Sequence, residues 1–153
     1  MIERNLKYGL YYNAIANCKR KNDGVVNAAE RGEEFMQNRK ATQSEERLLE
    51  FLINRASTKV PNDWKEKLIV YPMDDGEMGS LYLSLSTEMV TKRLFGEQIS
   101  ECHFLDRDGI DVIASLNVDK NGNLFELDIW KTDYSPLIKI PEKFDELVIA
   151  LNQ

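Results

Sequence analysis

Glu126 and Asp128 stand two residues apart in the stretch FELDIWKTDYSPL (125–137), with Asp133 close behind. On a β-strand, side chains at i and i+2 leave the same face, so these two carboxylates can approach each other. Paired carboxylates perform acid–base chemistry or hold a metal. A second acidic group, Asp74-Asp75-Gly76-Glu77-Met78-Gly79-Ser80, offers the oxygen ligands that magnesium takes. One expectation is therefore a metal-assisted enzyme in which Asp74, Asp75, Glu126 and Asp128 converge on a divalent cation. The plainer expectation is a wide turn with solvated acids, followed by an acidic stripe on a strand. The same stretch also reads as a recognition surface, because Trp130 and Tyr134 sit among the acids and large aromatics carry much of the energy of protein interfaces.

Other chemistry finds little support. Cys102 and His103 are adjacent, and on a strand they point to opposite faces, so they cannot pair as nucleophile and base. His103 is the only histidine, which excludes a multi-histidine metal site, and Cys102 suits a small core hydrophobe. Asp119-x-Asn121-x-Asn123 opens like a calcium loop. Its glycine, Gly122, comes two residues early, and Trp130 stands where the bidentate glutamate belongs. A hairpin turn explains the same residues. The chain holds no G-x-S-x-G, H-E-x-x-H, G-x-x-x-x-G-K-[ST] or G-x-G-x-x-G, and no cofactor is expected.

The elements that must position these residues follow from periodicity. Tyr8, Tyr11, Tyr12 and Ile15 draw a helical stripe, and Val25, Val26, Ala29 and Met36 suggest a second helix. Thr42-Gln43-Ser44-Glu45 is a capping box, and Leu48, Leu49, Leu52, Ile53 and Ala56 continue it as one apolar face. From Leu68 the period shortens to two. Strands are expected over 68–73, 81–85, 97–105, 110–118 and 125–129. Asp106-Arg107-Asp108-Gly109 and Asp119-Lys120-Asn121-Gly122 each begin with a turn-capping Asp and end with a Gly suited to positive φ. Such short turns force antiparallel neighbours. The expected fold is α+β, an antiparallel meander of about five strands with N-terminal helices on one face. Residues 1–40 read as a helical extension and 41–153 as the core domain. A last helix is expected behind Pro141, on the spacing of Phe144, Leu147, Val148 and Leu151.

The 153 residues suit one modest core. No apolar run is long enough to span a membrane and no signal peptide is evident, so a cytoplasmic protein is expected, with two ordinary thiols. Net charge is −6 and uneven: residues 74–135 carry 5 Lys/Arg against 13 Asp/Glu, while residues 1–73 carry 13 against 10. An acidic middle disfavours nucleic acid and suits a basic protein partner.

The stretches YPMDDGEMGSL (71–81), FLDRDGIDVIASLNVDKNGNLFELDIW (104–130) and KTDYSPLIKIP (131–141) together resemble a family of small uncharacterised bacterial proteins built on a domain of unknown function. The resemblance rests on Asp75, Gly76, Met78, Gly79 and Ser80, and on the Glu126–Leu137 segment with Trp130, Lys131, Asp133 and Tyr134. It implies a helix ahead of a sheet and no particular reaction. Some small acidic bacterial domains of this kind accompany secreted toxins as immunity proteins. The leading expectation is a non-enzymatic, immunity-like protein-binding domain using Asp75, Glu126, Asp128, Trp130, Lys131, Asp133 and Tyr134. A structural or self-associating module and the metal-assisted enzyme are the alternatives.

Overall fold

The computed structural model describes residues 38–86 and 93–144. The helices expected over 8–15, 25–36 and most of 141–151 lie outside the described residues.

Helix α1 (Gln43–Arg55) begins where the capping box places it. The Thr42 hydroxyl accepts from the Glu45 amide at 3.3 Å, and the Glu45 carboxylate accepts from the Thr42 amide at 2.8 Å. Arg39 grips the same carboxylate with two bonds of 2.8 and 2.9 Å. Leu48, Leu49 and Leu52 point inward from α1 and are fully buried. A four-residue helix, α2 (Trp64–Lys67), was not expected; Trp64 drops from it into the same core.

The sheet has five antiparallel strands: β1 (Ile69–Pro72), β2 (Leu81–Ser84), β3 (Phe95–Leu105), β4 (Asp111–Asp119) and β5 (Leu124–Lys131). Their spatial order is β1-β2-β5-β4-β3, so β5 lies in the interior and β3 takes the far side. The two Asp…Gly turns link β3 to β4 and β4 to β5. In each, the glycine amide donates to the aspartate carbonyl at 2.9 Å, with φ +79 at Gly109 and +82 at Gly122.

One face of the sheet packs on α1 through Val70, Leu81, Leu83, Cys102, Phe104, Val112, Ala114, Leu116, Leu127 and Ile129. On β5 the expected core set began at Phe125. The pairing instead skips Phe125, since Asn117 faces Glu126 and Val118 faces Leu124. That bulge turns Leu124 into the core and leaves Phe125 half-buried against Tyr82, with the Arg93 guanidinium over its ring.

Candidate functional site

The second face of the sheet carries Tyr82, Glu126, Asp128 and Trp130 beside Asn117, Ser115 and Ile113, with Glu101 and His103 beyond. This face divides into two parts. Ser115, Asn117, Glu126 and Asp128 are buried, and the last three each have interaction partners. Glu126 and Asp128 therefore belong to an inner polar band and not to a solvated stripe. Toward the end of β5 the face opens: Trp130 is half-buried and Tyr134 is 53% exposed. Their rings stand 6.1 Å apart at 55°. Asp133, beside them, accepts from the Ser135 amide at 3.0 Å and the Ser135 hydroxyl at 2.6 Å. Those two bonds hold its carboxyl below the ordinary carboxylate range.

What holds this corner in place is internal. Lys131 is fully buried, and its ammonium donates to Asp106 at 2.8 Å, Asp108 at 2.6 Å and the Pro136 carbonyl at 3.2 Å. Burial opposes its charge, the two carboxylates outweigh that, and its pKa is raised. Asp106 accepts in turn from the amides of Ile138 at 2.7 Å, Lys139 at 3.1 Å and Arg107 at 2.7 Å. Burial alone would raise the Asp106 carboxyl; the Ile138 amide, the Lys131 ammonium and the other amides pull it down to about 2. Residues 136–139 are thereby strapped to the β3–β4 turn.

The Asp75 loop is stitched to the same region. Its carboxylate accepts from the amides of Met78 at 3.0 Å, Gly79 at 3.3 Å and Ser80 at 3.0 Å. Ser80 Oγ bonds both the Ile129 amide, at 2.9 Å, and the Ile129 carbonyl, at 3.2 Å. The Leu137 amide donates to the Glu77 carbonyl at 3.0 Å. Asp75 and Lys131 thus act on the fold from inside, and Trp130, Asp133 and Tyr134 are the expected residues that reach the surface.

The expected cation site is not formed. Among the described residues no three His, Cys, Asp or Glu side chains come together to hold a metal ion, so Asp74, Asp75, Glu126 and Asp128 do not converge. Cys102 and His103 do diverge as expected. Cys102 is buried in the core, where burial pushes its thiol up to about 12, while His103 bonds Glu101 at 2.9 Å on the other face.

Three charged residues went unrecognised in the sequence. Asp106 and Asp108 read as turn residues, although one turn does not need two acids. Arg93, between two expected strands, carried no reading in the sequence, yet it bonds the Asp119 carboxylate at 2.9 Å, the Leu83 carbonyl at 2.6 Å and the Leu124 carbonyl. It fills the gap where β2 and β5 part beyond the Tyr82–Glu126 pair. Burial works against the Asp119 charge, but the Asn123 amide and Arg93 hold its carboxyl low.

No helix among the described residues is long and apolar enough to cross a membrane. No curated protein and no solved structure is a match to the chain. A family model does match, over residues 38–141, which span α1, the whole sheet and the strap, and by that match the chain belongs to the family described as a domain of unknown function (DUF6984).

Proposed function

We propose that this chain is a non-enzymatic protein-binding domain of the immunity type, docking a basic protein through Trp130, Asp133 and Tyr134. The observation that carries the reading is Tyr134 itself, whose φ is +62 while the residue is 53% exposed. A left-handed conformation costs a side-chain-bearing residue about 1–2 kcal/mol, and glycine would take it freely. A large exposed aromatic kept at such a position against that cost is what a binding anchor requires. The acidic middle of the chain would draw a basic partner in. The inner residues Asp75, Glu126, Asp128 and Lys131 position this corner and do not touch the partner.

The alternative of a self-associating module has less behind it. Strand β3 ends the row of described strands, but its pairing with β4 is irregular at two places and it carries Glu97 and Glu101. Irregular ladders and charges are how edge strands avoid one another.

A photoreactive residue at exposed Thr132, introduced in the host cell, tests the reading. One basic protein should crosslink, and the adduct should vanish when Tyr134→Ala is added. An adduct indifferent to Tyr134→Ala, or no adduct at all, counts against the domain binding through this corner.

A further inference from the structure

We infer that the group this corner takes from its partner is an arginine guanidinium, laid on the Tyr134 ring and met by the Asp133 carboxylate; the inference rests on the binding reading above. Tyr134 and Trp130 form an aromatic angle, with the Tyr134 ring presented to solvent. Asp133 is the adjacent residue, and its Oδ1 is engaged by Ser135, which fixes the carboxylate in its charged form. Asp111 lies on the same face, two residues before Ile113, the cross-strand partner of Trp130. Lys131, two residues before Asp133, is sealed inside by Asp106 and Asp108 and reaches Asp133 only through its field, and among the described residues no ion pair to Asp133 or Asp111 is formed. The corner therefore joins a π face to carboxylate that no described cation pairs with.

A guanidinium fits that combination better than an ammonium. It is planar, so it stacks on a ring, and its forked donors match a carboxylate. A lysine head is a compact, strongly hydrated charge that gains less from the ring.

The test is an NMR titration of the full chain with three acetylated, amidated tripeptides, Gly-Arg-Gly, Gly-Lys-Gly and Gly-citrulline-Gly. The arginine peptide should shift the Trp130 indole and the amides of residues 132–135. The lysine peptide should bind about fivefold more weakly, the share a cation–π contact supplies, and the uncharged citrulline peptide should have no effect. Asp133→Asn keeps the Ser135 contacts in reach and should abolish the shifts, as should Tyr134→Leu. Equal binding of the arginine and lysine peptides, or shifts that survive Tyr134→Leu, would mean a diffuse acidic surface and overturn the inference. No shift with any peptide overturns it too. The Thr132 crosslink can still stand in that case, so the two readings fail separately.

Discussion

Lys131 lies in the middle of a segment that reads as a binding surface, yet its ammonium is enclosed by Asp106, Asp108 and the Pro136 carbonyl. Residue type and spacing placed it on the chain but not in depth, because burial depends on the 136–139 strap returning over it. Tyr134 is the reverse case. Nothing in its neighbours announces a positive φ, since Asp-Tyr-Ser carries no glycine at the left-handed position. Glu77 has the same conformation, with φ +63, and its side chain is exposed. Two glycine variants separate strain from function. Glu77→Gly should raise stability by about 1 kcal/mol in urea unfolding, because strain is relieved and only an exposed side chain is lost. Tyr134→Gly relieves the same strain but gives up the Trp130 ring contact, worth about 0.5–1.5 kcal/mol. Its stability should stay close to the parent's while partner crosslinking disappears. A large stability loss in Tyr134→Gly would instead make the tyrosine a structural residue.

The elements were the most legible part of the sequence. Thr42 and Glu45 mark the start of α1 because capping is local chemistry, and the two Asp…Gly tetrapeptides mark the hairpins for the same reason. Strand order was not legible. Short turns bind β3, β4 and β5 together, but only tertiary packing decides that β2 joins β5 and leaves β3 at the far side. Nor was the Phe125 bulge, which shifts the alternation that marks a strand's inner face. Gly96 belongs to this scale. A Cβ there would meet the Asp119 carbonyl oxygen at 2.4 Å, the Asp119 carbonyl carbon at 2.6 Å and the Lys120 nitrogen at 2.9 Å. All three are backbone atoms, so the β3–β4 ladder itself must move. Gly96→Ala should cost about 1–3 kcal/mol by overpacking. Gly122→Ala, in open space at φ +82, meets only left-handed strain of about 1 kcal/mol. Urea denaturation of the two variants should rank them in that order, and the reverse ranking would mean that β3 yields easily at its first residues.

Across the whole molecule, each end of the sheet is closed by a charged clasp. Arg93 and Asp119 join β2, β4 and β5 at one end, and Lys131, Asp106 and Asp108 tie β5, the β3–β4 turn and the strap at the other. Both depend on ionised carboxylates, which makes the fold sensitive to acid. Asp106 is held at about 2 against an ordinary 3.8. Above about pH 5 it is ionised in folded and unfolded chains alike, and its contribution is complete. As the pH falls from there, the unfolded chain takes up the proton first, so protonation favours unfolding, and the contribution is lost as the pH falls through about 2. Asp119 and Glu45 are also held low and lose stability in the same direction. Asp106→Asn should therefore be less stable at pH 7, since Lys131 loses a charged partner in a dry site. Its stability should also fall less steeply than the parent's between pH 4 and pH 2. Urea midpoints of both proteins at pH 7, 4, 3 and 2 measure this, with circular dichroism at pH 7 establishing that the variant is folded. Curves that converge toward pH 2 fit the clasp. Curves that stay parallel would mean Asp106 titrates alike in both states, and the strap would then owe its place to the backbone bonds at Ile138, Lys139 and Leu137 without the buried charge.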